Sequence, residues 1–580
     1  MPFILAHTKP GEVVYDCFAG TCSTGFAATA CANPDDTVVP PAGTKVPGGI
    51  HWGPRRAICV DTGVLPTFIG RTLLRPIDVE EFERISNKTM DDVETRWGWI
   101  YEAEDDRGNN GTILNTVFSD IIECNNCGSQ STFLDLFVDF KRGAFKSRSK
   151  CPSCRTTIMA TAARRATETI YDDLLKTSIQ KTKRVPVTIN GKIGKRRWTR
   201  PVAEKDMATL SRIEKTQLPA FVKPVPMLSG EERWGELYRA GYHKGITHLH
   251  HFYTRRNFLA LTVLYAAAKS VPEEYRDHFI LAVSSYNVAH SSLMTRFVFK
   301  KGNRTPVNTS AEPGVLYITG CPVEKNVFQG VRQKIKIIKE AAAEVNKWNP
   351  QVYVYTRPAQ QSGLPDNSVD YVFTDPPFAG NIQYSEINFL SESWLGAFTD
   401  NKFETVISDV QGKQLQDYER LLTEALSENF RVLKAGHYMS VVFHHTSSKV
   451  WNSLRRAILG AGFDIVNSSI LDKQQTSFKQ TTTAGAVKKD LIIVALKPLS
   501  ANSQTETSDP GTAEQFLRDR LSRLGPNDTP ERTFDYLFSR FVGACLSKGK
   551  DVPVDAKEFR AALARIADSH GDKWFLWRDR

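Results

Sequence analysis

The chain has 580 residues, 41% of them hydrophobic and 24% charged, with a formal net charge of +11. That length holds several cores of ordinary domain size, and the composition excludes collagenous, disordered and membrane-embedded chains. Ten cysteines are too sparse for a disulfide scaffold, no secretory signal precedes the first element, and the longest apolar run, Phe258 to Ala268, is shorter than the roughly 18 residues a membrane span requires, so a cytoplasmic protein with no membrane partner is expected.

In chain order, Val13 to Asp16 predicts a short strand, Phe18 to Gly25 a turn of small residues, and Phe26 to Cys31 the start of a helix. Asn33 to Pro54, rich in Pro and Gly, reads as a surface loop. Ala57 to Asp61 repeats the strand pattern, ends on a carboxylate and leads into another turn and helix. From about residue 76 to 320 the alternation breaks down. This block contains paired cysteines, a basic run and a helical-hairpin candidate from Arg255 to Val288, and it reads as an insertion. Alternation resumes with a helix near Val331 to Lys347 and strands at Val352 to Tyr355 and Val369 to Phe373. A helix at Leu415 to Val432, a strand at Tyr438 to Phe443, a helix at Val450 to Leu459 and a last strand at Leu491 to Leu496 follow.

Ser500 to Thr512 has the composition of a linker. Beyond it, Ala513 to Leu524, Thr533 to Lys548 and Ala556 to His570 carry helical apolar spacing, in a tail that either docks a partner or packs on the body. The expected fold is α/β: a doubly wound sheet in two parts, 1–75 and 321–499, split by the insert 76–320, then the linker 500–512 and the helical region 513–580.

The charge is concentrated. Residues 141–200 contain seventeen Lys and Arg against Glu168, Asp172 and Asp173, a surplus of 14 that leaves the rest of the chain at −3. A basic segment on a near-neutral body points to phosphate contact, with a solvated charged face as the alternative.

Cys124-x-x-Cys127 and Cys151-x-x-Cys154, within about 120–158, match the two knuckles of a zinc ribbon. Four thiolates close a tetrahedral site, so the zinc is expected to be structural. The basic stretch begins inside this ribbon and continues as an arm to Arg200, with Trp198 among its cations. Ribbon and arm together read as a target-recognition region. His243, His248, His250 and His251 cluster near Arg255 and Arg256. Because adjacent side chains on a regular element diverge, hydrogen-bonding or phosphate-facing roles are preferred there over a second metal site.

Asp375-Pro376-Pro377-Phe378 follows an apolar strand, at the end where open α/β sheets bind ligands. By itself it reads equally as a strand followed by a turn-forming Asp-Pro. It also suits a specific chemical problem. An exocyclic amine on a nucleobase is a poor nucleophile, and two acceptors, the Asp375 carboxylate and the Pro376 carbonyl, can bond its hydrogens and orient its lone pair. Pro376 and Pro377 hold those carbonyls rigidly, and Phe378 offers a face for a base rotated out of a duplex. The turn after the first strand, with Asp16, Phe18, Ala19 and Gly20, lets a cofactor approach the backbone at a helix start, and Asp61 stands where a carboxylate commonly binds a ribose diol. Asn381, Tyr384 and Glu386 are candidates for a base pocket or for capping the next helix, and His444 and His445 are placed on the same side.

These motifs resemble those of the DNA amino-methyltransferases, the methylase family acting on adenine N6 or cytosine N4, and most of all its members with a zinc ribbon in the catalytic domain. Thr8 to Val14 leading into Asp16-x-Phe18-Ala19-Gly20 is similar to the family's S-adenosylmethionine motif, Asp61 to Ile69 to its ribose-binding segment, and Asp375 to Phe378 to its catalytic tetrapeptide. The resemblance extends through Gly245 to Asn257 and Thr483 to Val487. It implies a Rossmann-like methyltransferase sheet, S-adenosylmethionine as methyl donor, DNA as partner, and adenine favoured over cytosine. It leaves a restriction-modification, defence or regulatory role open, with a cognate restriction or defence subunit among the candidate partners. Cys17 and Cys22 stand where the family has Pro and a second Gly, which predicts that Cys22 crowds the cofactor. The helix that often completes the family's cofactor pocket is expected to be missing or reduced to Pro2 to Ala6. The alternatives are an RNA guanine-N2 methyltransferase and a catalytically inactive DNA-binding protein.

Overall fold

The structure, a computed structural model, describes residues 1–35, 49–227, 243–300, 302–312, 314–380, 382–471, 489–499, 511–524 and 529–577. Most of the 500–512 linker, the 483–487 segment, Asn381 and much of the 33–54 loop lie outside the described residues. The chain divides into two compact units. One comprises Met1–Pro76, Val345–Ser385 and Thr399–Arg580; the other comprises Ile77–Glu344 and Glu386–Phe398.

The first unit is built on a seven-stranded mixed α/β sheet. Its strands are β1 (Val13–Asp16), β2 (Arg56–Asp61), β3 (Gln351–Thr356), β4 (Val369–Thr374), β5 (Leu433–Phe443), β6 (Asp464–Leu471) and β7 (Asp490–Leu496). Their order is β3-β2-β1-β4-β5-β7-β6. Neighbours from β3 to β5 pair parallel, and β7 runs antiparallel to both β5 and β6. Residues in β4 and β7 are buried almost throughout, as expected of strands covered on both faces. Such strands read in sequence as apolar runs, which is why β4 and β7 were legible, whereas β6, with its polar Asn-Ser-Ser centre, was not.

Among the described residues, helices α1 (Pro2–His7), α2 (Ser23–Ala30), α3 (Val64–Leu73), α4 (Leu415–Val432) and α5 (Ser448–Gly460) flank this sheet ahead of the tail. Gly25 lets α2 lie close to the sheet, because a Cβ there would come within 2.8 Å of Val352 Cγ1 and 3.1 Å of Cys59 Sγ. Strand order reverses between β1 and β4, so the carboxyl ends of these neighbours flank the crevice where open α/β sheets bind ligands.

The tail packs on this body. Its helices are α6 (Ala513–Leu524), α7 (Phe534–Ser547) and α8 (Ala556–Ala564), and Leu517, Phe541 and Phe559 are buried in the same hydrophobic core as Val441, Trp451 and Ile493. Gly543 lies directly on β6, where a Cβ would meet Ser468 Oγ at 2.4 Å. The predicted third helix stops at Ala564 instead of His570. Ala567–His570 pairs with Lys573–Leu576 as a hairpin turned at Gly571, whose φ is +65°. Arg532 fixes that hairpin, donating to the Trp574 carbonyl at 3.0 Å and lying 4.3 Å from the Phe575 ring centroid. Phe541→Ala is expected to cost about 4 kcal/mol, a fully buried aromatic leaving a cavity, measured as a lowered denaturant midpoint.

The second unit contains a sheet ordered Arg196–Pro201, Arg184–Ile193, Asn110–Glu123, Val323–Lys325, and a helical hairpin, Arg255–Ala268 with Glu273–Ser291. Helix Val327–Trp348 starts here, not in the sheet unit as the sequence suggested. Arg332 pairs with Asp91 and Glu94, and Lys339 with Glu80 and Glu83, which ties it to helix Val79–Trp97.

Candidate active site and metal centre

Asp16 ends β1 and is 4% exposed. One carboxylate oxygen accepts from Phe18 N at 3.1 Å and Thr374 Oγ1 at 2.8 Å, the other from Thr24 Oγ1 at 2.6 Å. It therefore ties β1, the Gly turn, α2 and β4 together. Burial pushes its pKa up to about 6, against the hydrogen bonds from Thr24 and Thr374. Asp16→Ala leaves three donors without an acceptor and is expected to cost about 3 kcal/mol in thermal unfolding, whereas Asp16→Asn keeps the same shape and costs about 1 kcal/mol.

Asp61, at the end of β2, accepts from Gly20 N at 2.8 Å and Gly63 N at 2.7 Å. Burial raises its pKa and those two N–H groups oppose the shift. Each oxygen keeps a second lone pair for a hydroxyl donor. Ala19 N donates to Val60 O at 3.0 Å, which fixes the turn to β2. Gly20 has φ +51°, and a Cβ there would meet nothing within 4 Å, so the turn borders open space.

Cys22 does not crowd that space. Its backbone is left-handed, with φ +67°, and its side chain is fully buried. A Cβ at Gly70 would come within 2.3 Å of its sulfur, and it shares a core cluster with Cys59 and Leu74.

Asp375 to Phe378 follow β4 directly. Asp375 is exposed, Pro376 buried, and Pro377 and Phe378 half-buried. The Pro377 carbonyl accepts from Tyr418 Oη and Ala379 N, both at 2.9 Å. Ala379 sits at φ +53°. The Pro376 carbonyl receives no hydrogen bond among the described residues. Phe378 packs edge-on against Phe443, centroids 5.3 Å apart, with the His444 ring at 6.1 Å.

Tyr384 is 46% exposed; burial raises its pKa, and the charges of Asp375, Asp61 and Glu404 raise it further. Sequence reading missed Thr24, Thr374, Glu404 and Tyr418. Thr374 and Thr24 had a signal, their places just before Asp375 and at the start of the helix after the turn, but Glu404 and Tyr418 lie on elements farther along the chain. His445 acts locally: its Nδ1 accepts from Ser447 N at 2.9 Å, ahead of α5. Glu386 is buried.

In the second unit the four thiols of Cys124, Cys127, Cys151 and Cys154 converge within 4.8 Å. Cys124 to Cys154 is 3.6 Å and Cys127 to Cys151 is 3.7 Å. Four thiolates around zinc at about 2.3 Å lie about 3.8 Å apart, so the donor set fits a structural zinc. Both knuckles turn alike: Gly128 N bonds Cys124 O at 2.9 Å and Arg155 N bonds Cys151 O at 3.0 Å, with φ +72° and +65°. Hydrogen bonding, with Thr156 first, brings the Cys154 thiol down to about 5 and Cys151 lies at about 7, whereas Cys124 is pushed up to about 11.

The basic stretch is not an arm. It forms strands Thr167–Asp172, Thr177–Thr182, Arg184–Ile193 and Arg196–Pro201. Several of its cations are paired inside the unit: Arg165 and Arg184 with buried Asp120, Arg196 with Asp105, Arg200 with Asp206. Trp198 is buried against Gly191.

His250 and His251 do converge, contrary to expectation, because they lie on a 3-10 turn, Leu249–Phe252. Each Nε2 is 2.8 Å from Asp172 Oδ2. Thr247 N donates to His251 Nδ1 at 3.2 Å, which assigns the ring proton to Nε2 and makes the cluster a hydrogen-bonded one. Burial lowers His251 to about 4. Burial works to raise Asp172, yet the bonds from His251 and His250 hold it well below the usual carboxylate range. The signs agree. Between about 6.5 and 4 the unfolded chain binds the His251 proton and the folded chain does not, so this stability is present above that window and lost as pH falls through it. The Asp172 share is lost below the ordinary carboxylate pKa. Thermal unfolding from pH 7 to 4 is expected to decline more steeply in the wild type than in His251→Gln.

No protein family and no curated protein matches the chain. Among solved structures it is similar to a protein provisionally described as a DNA modification methylase from Thermus thermophilus, at 17% identity over 26% of this chain and 54% of that one, TM-score 0.15. It is also similar to the (4+2)-cyclase SpnF, at 13% over 29% and 65%, TM-score 0.17, and to the antibiotic-resistance methyltransferase Kmr, at 16% over 30% and 73%, TM-score 0.16. The chain thus spans about half the length of the first of these. Likeness at these scores carries no argument about function, which rests on the site itself. No helix among the described residues is long and apolar enough to cross a membrane.

Proposed function

We propose that the chain is an S-adenosylmethionine-dependent DNA methyltransferase acting on an exocyclic base amine, adenine N6 before cytosine N4. The observation that carries this reading is the pairing of a Gly turn and an acid-ended β2 with Asp-Pro-Pro-Phe at the switch point of a Rossmann-like sheet. Phe18, Ala19, Gly20 and Asp61 would hold the cofactor: the turn at Gly20 has room above it, and Asp61 retains lone pairs for a diol. Bound there, S-adenosylmethionine would supply an electrophilic methyl group.

The chain's own residues do the rest. Asp16 fixes the turn against β4. Asp375 and the Pro376 carbonyl accept the two amine hydrogens and aim the lone pair, while Tyr418 rigidifies the loop through Pro377. Phe378, braced by Phe443, provides the stacking face for a flipped base. The zinc knuckles and the cations of the second unit fit a DNA-recognition role in a restriction-modification or defence setting, which includes a cognate subunit among the partners.

Calorimetric titration of the full chain with S-adenosylmethionine tests this reading. Saturable one-to-one binding is expected, and absence of binding overturns it. Methyl incorporation into RNA and not DNA would favour a guanine-N2 enzyme instead.

A further inference from the structure

Two hairpins of the second unit pack into one surface. The first, Val138–Asp139 with Ala144–Phe145, lies between the cysteine knuckles; the second is Arg296–Val298 with Val307–Thr309. Gly143, at φ +65°, joins them closely: a Cβ there would be 2.7 Å from Asn303 O and 2.9 Å from Arg304 Cα.

Four phenylalanines meet on this surface. Phe145 and Phe140 both lie nearly parallel to Phe297, at 5.5 Å and 22° and at 6.3 Å and 25°, and Phe299 stands edge-on to Phe297 at 6.0 Å. Phe297 is buried, but Phe140 and Phe145 are 46% and 47% exposed. One side of each outer ring is therefore covered and the other faces solvent.

The surrounding charge is largely of one sign. Residues 141–150 hold five cations and no carboxylate, and Lys300 and Arg304 add to them from the second hairpin. Asp139 is turned onto its own loop, accepting from Lys141 N and Arg142 N, with the exposed Arg142 guanidinium 4.0 Å away. Four later cations of the basic stretch, Arg165, Arg184, Arg196 and Arg200, are paired with internal carboxylates, while Lys176, Lys195 and Arg197 are exposed elsewhere on the unit. The cations of 141–150 are the part of the basic surplus that accompanies exposed aromatic rings.

We propose that this two-hairpin surface binds an unstacked DNA strand, with Phe140 and Phe145 stacking on bases and the Lys141–Lys150 cations contacting phosphates. Cations alone would suit a duplex. Two aromatic faces at the same place suit bases whose own faces are open, as in a single strand. The choice of DNA over RNA rests on the methyltransferase reading; affinity for a strand does not.

Fluorescence anisotropy of the full chain with a labelled DNA strand of about 20 nucleotides, its duplex and the matching RNA tests the proposal. The strand is expected to bind at least about tenfold more tightly than the duplex. Phe140→Ala with Phe145→Ala should weaken strand binding more than about tenfold and duplex binding little. Lys141→Glu with Arg142→Glu should weaken both and reduce the salt dependence. Phe145→Leu keeps the packing and the zinc content while removing one aromatic face, and should still lose affinity severalfold. Equal affinity for strand and duplex, or phenylalanine variants that bind normally, overturn the surface. Tighter binding of RNA overturns the DNA assignment, and loss of all binding to an excess of acidic peptide overturns the nucleic-acid assignment. The same preparations are titrated with S-adenosylmethionine. Retained strand binding without cofactor binding supports the surface and counts against the enzyme reading alone, and the reverse counts against the surface alone.

Discussion

Asp375→Ala is expected to lower methyl transfer to DNA on the order of a thousandfold while leaving S-adenosylmethionine affinity unchanged. The carboxylate is asked to hold one hydrogen of an amine whose lone pair is delocalised, and losing one oriented charged partner from a site of this kind costs about 10²- to 10³-fold. The cofactor-type residues lie on a different turn: Gly20 and Asp61 bond each other and do not depend on Asp375. Asp375 is exposed, so removing it leaves no cavity in the core. Asp375→Asn keeps one acceptor oxygen but turns a donor toward the amine, and should fall between wild type and alanine. Single-turnover incorporation with labelled methyl donor gives the rate, and calorimetry gives the affinity. Parallel loss of both would remove the proposed division of labour.

Removing the metal should have the largest effect on stability. The ribbon has little core of its own: Ile122, Leu136, Phe137 and Ala163 form its buried cluster. Four convergent thiols must hold both knuckles, and structural zinc in small modules contributes about 10–16 kcal/mol at neutral pH. One zinc per chain is expected by elemental analysis. Cys151→Ser should abolish it and leave the 120–158 region open to protease. Chelation should do the same, and acidification should release the metal as the thiolates protonate. Binding of S-adenosylmethionine, on the other unit, should persist. A ribbon equally protease-resistant without zinc would assign the cysteines another role.

The local parts of the site were legible in the sequence. Asp16, Gly20, Asp61 and Asp375 stand at strand ends because an apolar run followed by small residues, Pro or Asp makes a strand and its turn, whatever surrounds it. The cysteine pairs were legible for the same reason: a C-x-x-C knuckle is built within five residues.

What failed depended on distant partners. Cys22 was expected in the cofactor space, but the left-handed backbone at that residue turns its sulfur toward Gly70 and Cys59. His250 and His251 were expected to diverge, but the 3-10 turn and Asp172, some eighty residues earlier, bring both rings to one oxygen.

The charge with which the chain announces itself divides in the same way. Sequence by itself determined its sign and its concentration in residues 141–200, since both are properties of composition. Only the tertiary structure decided which of those cations remain available. Asp120 lies 45 residues from Arg165 and 64 from Arg184, and Asp105 lies 91 from Arg196. A buried carboxylate without a cation is costly, so the fold claims these arginines for its own ion pairs. Among the described residues the hairpin cations at 141–150 meet no buried carboxylate of this kind, and they remain beside the exposed rings.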